Sequence, residues 1–121
     1  MKTKNWLESF RHAINGLVCT ARRERNFRIH IFFAVFVVAA CIVFRVESLH
    51  FMIVGFTIVL VMVAELINTA VEALVDMYCR GKPHPLAKLA KDVAAAAVLL
   101  ASVWAVVVGI FVAVSVIRRY V

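Results

Sequence analysis

The sequence predicts an all-α integral membrane protein: three transmembrane helices preceded by an amphipathic helix on the membrane surface. Three observations lead there. The 121 residues are 64% hydrophobic, with a mean hydropathy of +0.95, which is more apolar surface than a soluble domain of this size can hide. Three apolar runs have roughly the length needed to cross a bilayer as helices. The basic residues gather on one side of the resulting topology. One small domain, residues 1–121, is all the length allows.

Each element has its own signal. Over residues 5–28, Trp6, Leu7, Phe10, Ile14, Leu17 and Val18 recur at helical spacing among Glu8, Arg11, Arg22, Arg23 and Arg25. A basic amphipathic segment ahead of a span is expected to lie along the membrane surface. Residues 29–44 form the first span, short at about 24 Å of helix. Arg45, Val46, Glu47 and Ser48 form a tight polar turn. The second span starts at Leu49, and its helix is expected to run to Asp76. In the next loop, Gly81, Pro83 and Pro85 stop one helix, and Pro85 can open the next. The third helix covers residues 86–117, with a polar opening to Asp92 and an apolar run from Val93. Ala87, Ala90, Ala94, Ala97 and Ala101 give it a small-residue face suited to close packing in lipid. No cleavable signal peptide is expected, because the first apolar run starts late and lacks a small-residue cleavage site.

Charge sets the orientation. Lys2, Lys4, Arg11, Arg22, Arg23, Arg25 and Arg28 precede the first span, and Arg80, Lys82, Lys88 and Lys91 follow the second. The first loop has only Arg45. The amino terminus and the second loop therefore belong in the cytoplasm. Arg118 and Arg119 then fall outside, against the rule. The net charge of +7 is accounted for by this topology, and no nucleic-acid module is visible. Cys19, Cys41 and Cys79 show no CxxC spacing and an odd count, so no disulfide framework is expected. With His12, His30, His50 and His84 they make no zinc pattern. Each histidine reads as interfacial or structural.

The chemistry concentrates in Glu65-Leu-Ile-Asn68-Thr-Ala-Val-Glu72-Ala-Leu-Val-Asp76. At about 100° per residue, Glu65, Asn68, Glu72 and Asp76 share one narrow helix face. Ionisable groups at membrane depth are costly and usually functional, and a stripe of oxygens suits a hard divalent cation arriving with phosphates. Lys88, Lys91 and Asp92 open the third helix, and Glu24 precedes the first span with Arg28 one turn on. Glu24, Glu65, Glu72, Asp76 and Asp92 thus put five of the seven acidic residues in one cytoplasmic layer. A structural salt-bridge layer of Glu24, Glu72 and Asp76 with Lys88, Lys91 and Arg28 would also produce that pattern.

Glu65 separates the two possibilities. It stands about 10 Å up the helix from Glu72. There it is partly desolvated, which suits a general base. Its height suits a hydroxyl presented from the bilayer, and Glu72 below suits a metal and a water-borne phosphate donor. The pattern points to phosphoryl transfer from a cytoplasmic nucleotide to a lipid alcohol. Soluble-kinase motifs (GxxxxGK[ST], HRD, DFG) are absent.

The twelve-residue segment ELINTAVEALVD resembles the signature of the small prokaryotic diacylglycerol kinase family, E-x-x-N-[ST]-[AS]-x-E-x-x-[VI]-D, at every fixed position. KDVAAAAVL, from Lys91, resembles the family's second motif, and ERNFRIH, from Glu24, the stretch before its first span. The ERNFRIH form and the basic loop are more similar to the undecaprenol kinase branch than to the diacylglycerol branch. The resemblance implies a homotrimer with composite active sites at subunit boundaries, using ATP and Mg²⁺ at the inner membrane of a bacterium. It implies Glu24 and Glu72 on the metal, Glu65 as base on the lipid hydroxyl, and Asn68 orienting it. It implies Lys91 on the phosphates, with Asp76, Asp92 and the loop from Lys82 to His84 lining the nucleotide site. The lipid expected first is undecaprenol, with diacylglycerol second. A non-catalytic membrane assembly protein would not need Glu65 at its depth. An ion-coupled transporter would show broken helices or inverted repeats, and neither is visible.

Overall fold

In the computed structural model, which describes residues 5–121, the chain is all helical. Lys2 and Lys4 of the basic arm lie outside the described residues. Four helices follow in order: α1 (Trp6–Arg23), α2 (Arg25–Val43), α3 (Ser48–Cys79) and α4 (Pro85–Tyr120). α2, α3 and α4 are long and apolar enough to cross a membrane. Their outward side chains, among them Phe32, Phe36, Met52, Phe56, Leu100 and Phe111, are largely exposed. That is the surface of a membrane protein, whose outer face meets lipid rather than water.

α1 starts on a side-chain cap, the Glu8 N–H donating to Asn5 Oδ1 at 2.9 Å. The single surface helix expected over residues 5–28 is in fact two helices. α1 stops at Arg23, Glu24 is extended (φ −105, ψ 113), and α2 begins at Arg25. No glycine or proline marks this break. Arg28 holds it instead, donating to the carbonyls of Ala21 and Arg22 at 3.0 and 2.9 Å. These are carbonyls that the last turn of α1 leaves without helical partners. Phe27, 2% exposed and two residues into α2, is the most buried large side chain.

The α2–α3 turn contains Arg45 in the left-handed region (φ 50). Arg119, at the far end of α4, donates to the Phe44 and Arg45 carbonyls there. One of the two arginines that break the charge rule is therefore a cap for the end of α2. α3 spans 32 residues, about 48 Å at 1.5 Å per residue. That exceeds the roughly 30 Å hydrocarbon layer by several turns, so the second apolar run and the polar stripe below it are one helix. α3 ends at Arg80 (φ 48) and Gly81 (φ 83), both left-handed, with the Arg80 N–H donating to Asp76 O at 3.0 Å. α4 opens on Pro85 behind the His84 cap.

α3 and α4 form the principal pair, α2 leans on α3, and α1 touches α2 and α3. The core joins Cys41 of α2, Val54 of α3, and Val108 and Val112 of α4. All three cysteines are free. Ala94 and Ala101 are buried on α4, and Ala87 and Ala90 are half-buried, as the small-residue face predicts. Ala97 is exposed instead, and the half-buried Val98 takes its place, so the buried row is not small throughout. That row steps 94, 98, 101, as a 3.5-residue seam requires.

Candidate active site

The C-terminal half of α3 carries the candidate site. Glu65, Asn68, Glu72 and Asp76 descend one face of a continuous helix, and each meets a different environment. Glu65 is 4% exposed, and His30 Nε2 of α2 lies 3.1 Å from its Oε1. One turn down, Asn68 Nδ2 donates to Glu72 Oε1 at 3.3 Å. Asn68 Oδ1 is buried with no partner among the described residues. At the foot, Lys91 Nζ of α4 donates to Asp76 Oδ1 at 2.6 Å. The stripe thus passes from a dry carboxylate paired with an imidazole to a solvated one paired with an ammonium.

The α3–α4 loop completes the lower part. Lys88 Nζ donates to Asp92 Oδ2 at 2.6 Å, within the first turns of α4. Asp76, Lys82, His84, Lys88, Lys91 and Asp92 line one cleft of about 610 Å³, within the range of small-molecule sites. The hydrogen bond to Asp76 holds the Lys91 ammonium above the usual lysine range, and Glu72 nearby acts in the same direction. Lys88 is raised likewise by its hydrogen bond to Asp92. Both ammoniums precede the apolar run of α4. His84 lines the cleft, and its Nδ1 also caps α4, accepting from the Leu86 N–H at 3.1 Å.

Of the nine site residues expected from the sequence, the structure gathers five in this cleft: Asp76, Lys82, His84, Lys91 and Asp92. Asn68 and Glu72 are bonded to each other just above. Glu24 is half-buried at the α1–α2 break. It forms no ion pair among the described residues. Of the salt-bridge layer that could have explained the acidic residues, Lys91–Asp76 alone forms among the described residues, and Lys88 pairs with Asp92 instead. Arg28 binds backbone carbonyls instead of a carboxylate.

For a divalent metal, the relevant observation is the donor set. Glu72 meets no ammonium of the described residues at ion-pair distance, and the Asn68 amide oxygen above it is buried and unpartnered. Both are hard oxygen donors. No group of three or more His, Cys, Asp or Glu gathers as a cage among the described residues. That fits Mg²⁺, which usually takes one or two carboxylates and completes its shell with waters and phosphates.

Above the stripe, an apolar groove of about 250 Å³ runs between α2 and α4 over α3. Val54, Thr57 and Val61 form its floor, and His30 lies at the end nearest Glu65. The Thr57 hydroxyl is already engaged, donating to Ile53 O at 2.8 Å.

His30 was missed as a site residue. The signal was available: an imidazole two residues past the last basic residue, entering an apolar run, meets the same depth rule that singled out Glu65.

The family model of the prokaryotic diacylglycerol kinases matches residues 11–113. The chain is 46% identical over 105 residues to a diacylglycerol kinase of Synechocystis sp., covering 87% of this chain and 60% of that one. It is 38% identical over 107 residues to an undecaprenol kinase of Bacillus subtilis, covering 88% of this chain and 86% of that one. The aligned segment thus spans less than two thirds of the Synechocystis relative. The matched stretch takes in all of α2 and α3, the loop cleft and most of α4, and the chain belongs to the prokaryotic diacylglycerol kinase family.

Proposed function

We propose that this protein is a membrane lipid kinase that transfers the γ-phosphate of ATP to a lipid alcohol, most simply undecaprenol. The observation that carries this reading is the placement of Glu65. A carboxylate 4% exposed stands between an apolar groove above and a cleft lined by ammoniums and carboxylates below. Chain and hydroxyl enter from the groove, and the nucleotide from the cleft. Family membership supports a nucleotide co-substrate and a lipid acceptor.

The roles follow from position. Glu65 accepts the proton of the lipid hydroxyl, and Asn68, one turn below, orients that hydroxyl through its unpartnered Oδ1. Lys91 meets the phosphates, exchanging its surface pair with Asp76 for a more highly charged partner. Lys82, His84, Asp76 and Asp92 line the nucleotide cleft. Glu72 and Glu24 would hold Mg²⁺, which when bound neutralises charge on the phosphates. Catalysis rests on orientation and charge stabilisation, as phosphoryl transfer generally does.

Four further elements complete the proposal. Residues 1–121 act as one kinase domain. α1 lies on the membrane surface through Trp6, Leu7 and Phe10, which are exposed in the isolated chain. The loop cleft and α1 face the cytoplasm at the inner membrane of a bacterium, as the distribution of Lys and Arg requires. The enzyme is a homotrimer whose sites join residues of adjacent chains, which would bring Glu24 to a stripe it does not pair with inside one chain.

The lipid preference rests on the groove, which is mainly apolar: the Thr57 hydroxyl is already bonded, which leaves Ser102 of α4 and His30 as the other polar side chains along it. Diacylglycerol is the second reading, supported by the 46% identity to a protein of that name. Transfer of label from [γ-³²P]ATP to a panel of lipid alcohols in one detergent tests both. Label in undecaprenyl phosphate above phosphatidate is expected. Phosphatidate as the main product would reverse the substrate, and no labelled lipid from any alcohol would overturn the function.

A further inference from the structure

We propose that His30 is the positioning residue of the base, fixing which oxygen of Glu65 takes the proton. The inference rests on Glu65 acting as the base. His30 Nε2 stands 3.1 Å from Glu65 Oε1, and the imidazole is the one polar group among the α2 residues of the groove wall. Glu65 is 4% exposed, so the pairing lies in a weakly screened setting where one charge-assisted contact matters more than at a surface. Arg28 is turned away to cap α1, and Asn68 Nδ2 points down to Glu72. Among the described residues, no other side chain is at ion-pair or hydrogen-bond distance from the Glu65 carboxylate.

The consequence is geometric. A carboxylate free to rotate offers four lone-pair sites, most of them aimed away from the acceptor alcohol. With the imidazole nitrogen set against Oε1, Oε2 is left to face the incoming hydroxyl. The hydroxyl proton passes to Oε2 as the alcohol oxygen forms its bond to the γ-phosphorus. The bond from that phosphorus to the bridging oxygen breaks, and ADP leaves with the electron pair. His30 exchanges no proton with substrate in this step.

The full chain carrying His30→Phe, His30→Gln, Glu65→Gln, or Glu65→Gln with His30→Phe tests this, reading kcat and KM for ATP and for the lipid. Loss of one polar contact to a buried charged group corresponds to about 10–100-fold. His30→Phe is expected to lower kcat by that factor with KM for ATP unchanged. His30→Gln, whose amide nitrogen can reach the same place, is expected to recover most of it. In the Glu65→Gln background, His30→Phe is expected to cost nothing further, since the residue acts only through the carboxylate. A wild-type kcat in His30→Phe, equal losses in the Phe and Gln variants, or a full additional loss in the double variant would each overturn the assignment. Retained turnover in Glu65→Gln alone would instead overturn Glu65 as the base.

Discussion

Replacing Glu65 by glutamine is the sharpest test of the proposed chemistry, because the two side chains have the same shape and differ in one capacity. The site is already formed around a planar group that is 4% exposed, so the amide keeps its packing. Its oxygen can still face His30, 3.1 Å away in the native protein. What it cannot do is accept a proton. Loss of a positioned general base costs about 10²–10⁴-fold in rate, or about 2.7–5.5 kcal/mol of barrier at 1.36 kcal/mol per decade. The loss should fall on kcat. Glu65 stands seven residues above Glu72, about 10 Å along the helix, and the cleft proposed for the nucleotide lies lower still. KM for ATP should therefore move no more than a few-fold. Labelled-phosphate transfer at saturating ATP and lipid, with KM measured for each, reads both quantities. Turnover within tenfold of wild type would refute Glu65 as the base. A large rise in KM for ATP with kcat intact would show that the upper and lower parts of the stripe are not separable.

If Glu24 and Glu72 share Mg²⁺, Glu24→Gln and Glu72→Gln should each raise the Mg²⁺ concentration for half-maximal rate several-fold, and an unchanged titration in both would count against them as ligands. Lys91 pairs with an exposed partner, and such pairs add little to stability. Lys91→Ala should therefore leave the melting temperature near wild type while KM for ATP rises about tenfold or more; a change in melting alone would return Lys91 to a structural role. Mixing Glu65→Gln subunits with Lys91→Ala subunits should restore part of the activity if adjacent chains share sites, and no recovery in mixed oligomers would argue for sites within one chain. In one detergent, kcat/KM for undecaprenol should exceed that for diacylglycerol without excluding it, because apolar contacts discriminate by only about 1–3 kcal/mol.

The sequence was most legible where one element decides the matter alone. The stripe from Glu65 to Asp76 needs only the helix period, and α3 delivers it unbroken. The three spans needed only length and apolarity. The break at Glu24 was not legible, because nothing local opposes a continuous helix through Arg23, Glu24 and Arg25. Arg28 stabilises it from the next helix, and tertiary capping of this kind leaves no periodic trace. The exchange of Ala97 for Val98 has a similar origin: a helix period places a face, and only the partner helix sets its seam. Choosing by small size favoured the alanine, while the seam follows the angle of approach and takes the valine. Arg119 looked like an orientation anomaly because charge counting has no way to see the carbonyls of Phe44 and Arg45 that it reaches. His30 lay within a recognised stretch, but its significance depends on Glu65, 35 positions away in the chain and 3.1 Å away in space.

On the proposed reading, the depth of each group along α3 explains how one continuous helix serves two chemistries that need opposite surroundings. Proton abstraction from an alcohol is helped by a carboxylate with few competing water contacts, and burial beneath the groove supplies that at Glu65. Binding a triphosphate needs accessible ammoniums and open coordination sites, and the foot of α3 with the opening of α4 beside it supplies those at Asp76 and Lys91, where the pair remains exposed. Moving Glu65 one turn lower would hydrate the base, and moving Lys91 one turn higher would bury an ammonium at several kcal/mol. Asn68 and Glu72 stand at the boundary, hydrogen-bonded to each other with one amide oxygen left over. That boundary is where an alcohol from the bilayer and a phosphate from water can meet without either crossing into the other's medium. On this reading the membrane itself holds the two substrates apart until the stripe brings them together.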